Sequence, residues 1–233
     1  MMSEHLDPVT GQLPLSRARL SRRGALGLVG TSALMLGIGG LPLAAKEQEG
    51  DATDVLSEGA VLRDPEIPVA GNPDGDVTIV EFFDFQCPSC RQLVPDLRDA
   101  VKQDGGVRLI YKDWPILGAV SVYAARIVVA ARFQDKFIPA HDALIAADRR
   151  LTEGSIQDRL KNAGVDVARA VADMASQKPL IDALLKRNDD QASAFGFNGT
   201  PSFIIGKFRV PGALKKEHFA LAIADARKAN ARK

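Results

Sequence analysis

The sequence contains two cysteines, and they lie three positions apart in the run Cys87-Pro88-Ser89-Cys90. Two side chains at this spacing share one side of a helix, so their sulfurs can close a disulfide with little backbone movement. A thiol that is ionised is also a nucleophile, so such a pair can exchange its disulfide with the thiols of another molecule. The spacing therefore predicts redox chemistry. The competing interpretations are a metal half-site and two small buried side chains.

A strand followed directly by a helix is expected to position the two thiols. The run Val77–Phe83 is β-branched and aromatic, which is typical of a central strand covered on both faces. Apolar residues at helical spacing follow, and Gly105 ends that helix. Cys87 would lie at the helix N-terminus, where unpaired N–H groups and the helix dipole stabilise a thiolate. Pro88 suits the first turn because it has no N–H, and Cys90 is then the resolving thiol.

A metal site is a weaker interpretation of the same spacing. A structural zinc ion needs four ligands, and the chain has no third cysteine. Of the three histidines, His141 and His218 are predicted to lie on helix surfaces. A metal would have to recruit one of them or a second chain. We therefore expect no metal and no diffusible cofactor, with the Cys87–Cys90 disulfide itself as the redox group.

The remainder of the chain predicts an α/β fold that is interrupted by helices. A second strand follows the first helix, so residues 76–118 form a βαβ unit. Residues 119–196 are helical throughout, and residues 197–233 contain a hairpin about Gly206-Lys207 and a closing helix. Residues 46–75 are acidic and turn-rich, which predicts a linker followed by a short edge element. The architecture is therefore βαβ, a helical insert, then ββα.

Residues 1–45 have the order of an export signal. The stretch Ala25–Ala45 carries no charge, and it follows a segment with four arginines, Arg17, Arg19, Arg22 and Arg23. The paired arginines are typical of the twin-arginine route. Cleavage after Ala44 or Ala45 would free the body of the protein, whereas an uncleaved signal of this length would anchor it in the membrane. Both outcomes predict a periplasmic or other extracytoplasmic location, where thiols can cycle through disulfides.

The overall composition is that of a folded chain without a basic surface excess. Hydrophobic residues make up 46% of the 233 positions and charged residues 25%, which is ordinary for a globular protein. The formal net charge of +1 gives no reason to expect a nucleic-acid partner.

The residues around the cysteines resemble a known family. The segment Val80–Cys90, together with Gly199-Thr200-Pro201, is similar to the DsbA-like branch of the thioredoxin superfamily. The resemblance covers about residues 61–231 and implies a thioredoxin-like fold with an inserted helical domain. It also implies a protein dithiol–disulfide oxidoreductase that acts on unfolded or cysteine-containing exported proteins.

The same resemblance assigns roles beyond the cysteine motif. Glu81 falls where the family keeps a buried acid, which would pass protons to and from Cys90. Lys112, on the neighbouring strand, is the candidate charge partner of Glu81. Thr200-Pro201 matches the cis-proline loop of the family, which faces the cysteines and pairs its backbone with an extended substrate.

Ser89 departs from the family pattern, which often has an aromatic residue or histidine at this position. Because serine offers only a hydroxyl, we predict that the Cys87 thiol is less acidic than in the strongest oxidases. Its pKa should still lie below the free-thiol value of about 8.5. The direction of electron flow stays open between disulfide formation and isomerisation or reduction.

The short segment before the fold favours a monomeric oxidase, because isomerases of the superfamily are joined by an N-terminal domain or a long helix. Only residues 46–75 precede the fold, and they are broken by proline and glycine. An oxidase of this kind needs a membrane or soluble redox partner that resets its disulfide. The alternative from another class is a non-catalytic metal-binding or chaperone module.

Overall fold

The computed structural model of the protein describes residues 54–231, and the predicted export signal, residues 1–45, lies outside them. The described residues form a five-stranded sheet and eight α-helices. The strands are β1 (Val69–Gly71), β2 (Val77–Phe83), β3 (Val107–Asp113), β4 (Ser202–Ile205) and β5 (Phe208–Pro211). The helices are α1 (Glu58–Leu62), α2 (Pro88–Asp104), α3 (Ala119–Ala131), α4 (Phe137–Ile145), α5 (Glu153–Asn162), α6 (Val167–Ser176), α7 (Lys178–Ala194) and α8 (Lys216–Asn230).

The sheet has the strand order β1-β3-β2-β4-β5. Strands β2 and β3 are parallel and connected by α2, whereas the other three pairings are antiparallel. All seven residues of β2 are buried, as expected for an apolar strand with a neighbour on each side and helices on both faces. The predicted βαβ unit, helical insert and ββα order are thereby confirmed as a thioredoxin-like α/β fold.

The register of β2 and β3 decides which side chains share a face. Glu81 pairs with Tyr111 and Phe82 pairs with Lys112. Because successive side chains of a strand point to opposite faces, Glu81 and Tyr111 lie on one face and Lys112 on the other. Helices α2 and α8 cover the face of Glu81, and α1 and α7 cover the face of Lys112.

The part of the chain before β1 is more ordered than its composition predicts. Helix α1 begins at the N-cap Ser57, whose hydroxyl accepts a hydrogen bond from the N–H of Ala60. Val61 and Ile67 are both at most 4% exposed. The linker predicted over residues 46–75 therefore packs onto the domain from α1 onward. Its two apolar anchors are separated by turn residues, so no periodic pattern reveals them.

Helices α3 to α7 lie together between β3 and β4 in the chain. Helix α3 is the most buried of them, and it contacts α4, α5, α6 and α7. Its alanines and β-branched residues allow close packing on nearly every side. No helix within residues 54–231 is both long and apolar enough to cross a bilayer.

Candidate active site

Cys87 is the N-cap residue of α2, and Pro88 occupies the first helical turn. A turn that follows β2 delivers Cys87 to this position: its N–H donates to the carbonyl of Asp84 at 3.0 Å. The carboxylate of Asp84 accepts from the N–H groups of Gln86 at 2.7 Å and Leu117 at 2.9 Å. Aspartate is a turn-forming residue because its side chain caps nearby backbone in this way. Asp84 thus positions the turn before Cys87, a role that the sequence predictions omitted. The turn preference of aspartate was the available signal.

The pKa values of the two thiols are shifted in opposite directions. The Sγ of Cys87 accepts from the N–H of Cys90 at 3.4 Å. Hydrogen bonds from the Cys90 thiol, the Thr200 hydroxyl and the N–H groups of the first helical turn lower the pKa of Cys87 to about 6. Cys90 is fully buried, and burial followed by the bond to Cys87 and the charge of Glu81 raises its pKa. Cys87 is therefore the thiolate at neutral pH, and Cys90 remains a thiol.

Glu81 lies on the face of the sheet that α2 covers. It is 1% exposed, and its Oε1 has no hydrogen-bond partner. Burial raises the pKa of Glu81 to about 8, and the nearby Cys87 thiolate adds to this effect. A carboxyl with such a pKa is mostly protonated at neutral pH and can give a proton or take one back.

The predicted pair between Lys112 and Glu81 is not formed. The ammonium of Lys112 points to the opposite face, where its Nζ donates to the carbonyl of Ala60 at 3.2 Å and lies 3.7 Å from the carboxylate of Asp64. The physical reason is the strand alternation, because Lys112 pairs with Phe82 and not with Glu81. Burial lowers the pKa of Lys112 to about 8, and Asp64 opposes that effect.

The cation that acts on Glu81 is Arg98, which sequence reasoning missed. Arg98 lies two helical turns after Cys90 on α2, and it borders a surface cavity together with Tyr111 and Asp142. Its guanidinium pairs with the carboxylate of Asp142, and its charge lowers the pKa of Glu81. The spacing of Cys90 and Arg98 along α2 was the available signal, since residues eight apart share a helix face.

The loop after α7 faces the cysteines. The peptide bond between Thr200 and Pro201 is cis, as predicted from the motif. The Sγ of Cys87 lies 3.2 Å from the carbonyl oxygen of Thr200, 113 positions away in the sequence, and donates a hydrogen bond to it when Cys87 is protonated. Ser202 follows in β4 and pairs with Phe82, so the sheet holds this loop next to the helix N-terminus. Pro88 and Ser89 are exposed beside Cys87, whereas Pro201 is buried.

His141 is buried, which corrects its predicted place on a helix surface. It is 0% exposed, and its ring stacks on Tyr111 with centroids 3.8 Å apart. Its Nδ1 lies 3.0 Å from the carboxylate of Asp142, and burial lowers the pKa of the ring. His218 is exposed. Within the described part of the chain, no three His, Cys, Asp or Glu side chains are grouped so that they could hold a metal ion.

Comparisons with known proteins place this geometry in a family. The family model described as "Thioredoxin" matches residues 64–225. A thioredoxin-like oxidoreductase from Silicibacter pomeroyi DSS-3 is 38% identical with a TM-score of 0.71, over 74% of this chain and 98% of that one. The thiol-disulfide exchange protein alpha-DsbA2 from Wolbachia pipientis is 25% identical with a TM-score of 0.68, over 75% and 94% of the respective chains.

Curated relatives fall into two groups. A protein from Bacillus cereus with the name "Probable disulfide bond formation protein D" is 27% identical over 197 residues, which are 78% of this chain and 87% of that protein. The Na(+)/H(+) antiporter NhaA 1 of Salinispora arenicola is 26% identical over 160 residues, 68% of this chain. The chain spans about a quarter of the length of the antiporters it matches, 24% in this case.

Proposed function

Because this chain belongs to the thioredoxin family, we propose that it is an exported thiol–disulfide oxidoreductase that forms disulfides in other exported proteins. The observation that carries the proposal is the unequal acidity of the two thiols. The pKa of about 6 makes Cys87 the nucleophile, and the raised pKa of Cys90 makes it the resolving thiol. The names of the thiol–disulfide exchange and disulfide-formation relatives support the same activity.

The proposed reaction runs through a mixed disulfide. A client thiolate attacks the Sγ of Cys87, the Cys87–Cys90 bond breaks, and Cys90 leaves as a thiolate that takes a proton from Glu81. A second client thiolate then attacks the client sulfur of the mixed disulfide, and Cys87 leaves as a thiolate. The client gains one disulfide and the protein ends as a dithiol. Thr200-Pro201 holds the extended client chain beside Cys87 through its backbone.

The proposed location is the periplasm or an equivalent extracytoplasmic compartment, reached by a twin-arginine signal. The support is the order of residues 1–45, together with a structural neighbour described as a periplasmic thioredoxin-like protein from Salmonella enterica. Replacing Arg22 and Arg23 by lysine should retain the protein in the cytoplasm. Cell fractionation tests this, and unchanged export would count against the route.

Trapping tests the chemistry directly. The Cys90→Ala variant cannot resolve its mixed disulfide, so it should accumulate adducts when mixed with a reduced, unfolded protein and a mild oxidant. On a non-reducing gel, each adduct should appear as a band at the combined mass of the protein and its client. Dithiothreitol should remove these bands. The Cys87→Ala variant is the matched control, because its remaining thiol is buried and weakly acidic. Equal trapping by both variants would overturn the assigned roles.

A redox titration against glutathione tests the direction. We propose a monomeric oxidase with a separate redox partner that resets the disulfide, and its potential should lie closer to about −120 mV than to about −270 mV. A potential near the lower value, together with a stable oligomer in light scattering and activity on scrambled ribonuclease, would favour the isomerase or reductase instead.

A further inference from the structure

The loop between α4 and α5 is fastened to the active-site turn by Gln86. The side chain of Gln86 is buried, and its Nε2 donates to the carbonyl of Leu151 at 2.9 Å. Its Oε1 accepts from the N–H of the same residue at 3.0 Å. This double hydrogen bond joins the residue that precedes Cys87 to the helical insert, 65 positions away in the sequence.

Arg91 fastens the same loop from the first turn of α2. Its guanidinium donates to three carbonyls, those of Gln86 at 3.0 Å, Ala147 at 3.2 Å and Arg149 at 2.6 Å. Hydrogen bonds from a charged donor are stronger than neutral ones. The backbone of residues 147–151 is therefore held in a defined position next to the redox motif.

A cavity of about 680 Å³ lies between this loop and the start of α2. Pro88, the neighbour of Cys87, and Leu117, 43% exposed, give it apolar walls. Arg149 and Arg150 border it with exposed side chains, and the side chain of Arg149 is 91% exposed.

The charge of this cavity is positive. Its lining contains three arginines and one acid, Asp148. The carboxylate of Asp148 already pairs with Arg159 at 3.0 Å and lies 3.9 Å from Arg149. The guanidinium groups of Arg149 and Arg150 therefore face solvent with little neutralisation, at a cavity that Gln86 and Pro88, the two neighbours of Cys87, also border.

We propose that this cavity, the basic groove, binds a carboxylate-bearing segment of the client next to its reacting cysteine. The inference rests on the proposed function and adds a substrate preference to it: clients with acidic residues beside the cysteine react faster than clients with basic ones. Guanidinium groups match carboxylates in geometry as well as charge. Because Gln86 and Arg91 already hold the loop backbone, binding orders fewer groups.

The experiment compares two peptides that differ only in charge. Each contains one cysteine, followed within four positions by two glutamates or by two lysines. Oxidised protein is mixed with each reduced peptide at low and high salt, and the rate of reaction at Cys87 is followed by acid quenching and mass spectrometry of the mixed disulfide and the oxidised peptide. The ratio of the two rates is then measured for the wild type and for Arg149→Ser/Arg150→Ser. Comparing ratios removes the effect of flanking charge on the acidity of the peptide thiol.

We expect the double substitution to lower the glutamate-to-lysine rate ratio roughly fivefold at low salt, and less at high salt. The charge reversal Arg149→Glu/Arg150→Glu should lower it further. The control variant Lys161→Ser/Lys207→Ser removes the same charge from two exposed positions outside the groove and should leave the ratio unchanged. Circular dichroism and the Cys87 thiolate titration check that each variant keeps its fold and its nucleophile.

Two results would overturn the inference. One is an equal ratio for the wild type and the charge-reversed variant, and the other is an equal change in the Lys161→Ser/Lys207→Ser control. A third peptide without flanking charge separates the inference from the proposed function. If the wild type oxidises that peptide and the glutamate-to-lysine rate ratio does not depend on Arg149 and Arg150, the groove proposal alone fails. If it does not oxidise that peptide, the proposed function fails.

Discussion

Lys112 and Asp64 lie together inside the protein on the face of the sheet opposite to Glu81. The Nζ of Lys112 is 3.7 Å from the carboxylate of Asp64, and the two side chains are 0% and 4% exposed. Arg187 also pairs with Asp64, at 2.8 Å. This group of charges joins the segment before β1 to the sheet and to α7. The stability of the fold should therefore depend on it.

Replacing Asp64 by alanine should destabilise the fold, because it leaves the buried ammonium of Lys112 without a carboxylate. Loss of one partner of a buried pair costs about 3–5 kcal/mol. Urea unfolding followed by the fluorescence of the single tryptophan, Trp114, measures the change. The Asp64→Leu/Lys112→Met double variant should recover part of the loss. An unfolding free energy of Asp64→Ala close to that of the wild type would contradict this assignment.

Replacing Arg98 by methionine should raise the pKa of Glu81, whereas Lys112→Met should leave it unchanged. The reason is that Arg98 lies on the face of Glu81 and lowers its pKa, and Lys112 lies on the other face. Reduced protein mixed with an aromatic disulfide releases one anion when Cys87 reacts and a second when Cys90 attacks the mixed disulfide. The second rate should rise with pH as Glu81 ionises and becomes able to take the Cys90 proton.

In the wild type that rise should be centred at or below pH 8, since Cys87 carries no charge in the mixed disulfide and no longer raises the pKa of Glu81. Arg98→Met should move the rise upward by roughly half a pH unit, a modest shift because Arg98 is partly exposed and screened. Arg98→Lys should restore most of it. The same shift in Lys112→Met would contradict the placement of the two cations.

The Glu81→Gln variant should gain stability relative to the wild type as the pH rises. The folded pKa of Glu81, about 8, lies above its unfolded value of 4.5. The wild type therefore loses stability as the pH rises from 4.5 to 8, because the unfolded chain ionises this group and the folded chain does not. The difference between variant and wild type should grow to about 5 kcal/mol at most by pH 8.

Urea unfolding of both reduced proteins at several pH values provides that test. The Glu81→Asp variant is the control, since it keeps an ionisable group at the position. A stability difference that is constant between pH 5 and pH 8 would show that Glu81 is ionised in the fold.

Replacing Ser89 by histidine should lower the pKa of Cys87 below its value of about 6 and make the disulfide a stronger oxidant. A histidine cation next to Cys87 stabilises the thiolate, which favours the reduced form. A decrease of about one pKa unit corresponds to a potential up to about 30 mV more positive. Thiolate absorbance and glutathione equilibration measure the two quantities. Ser89→Thr keeps the hydroxyl and should change neither; an unchanged pKa in Ser89→His would refute the role of this position.

The local patterns of the sequence were sufficient to place the two cysteines and to predict the elements that carry them. The apolar run Val77–Phe83 and the helical spacing after it place Cys87 at a strand-to-helix junction, and the structure confirms that junction. Strand and helix periodicities depend on neighbours within a few positions, so they can be read without knowing the rest of the fold. The cis bond before Pro201 followed from the family motif in the same way.

The contacts between distant segments could not be predicted with the same success. Lys112 and Tyr111 are adjacent in the sequence, and only the register of β2 and β3 decides which of them lies beside Glu81. A shift of one residue would exchange the two faces. The burial of His141 depends likewise on α4 packing against Tyr111 and Phe83.

The sequence by itself therefore determined that Cys87 and Cys90 lie at the start of a helix in a thioredoxin-like fold, and it predicted that they act as a redox pair. Only the tertiary structure decided that Arg98, and not Lys112, lies on the side of the sheet where Glu81 is buried, and that Arg149 and Arg150 border the same cavity as Pro88, the neighbour of Cys87. The physical reason is that a side chain's face and its burial are set by strand register and by helix packing across the fold. Those relationships connect residues far apart in the chain, and no local pattern records them.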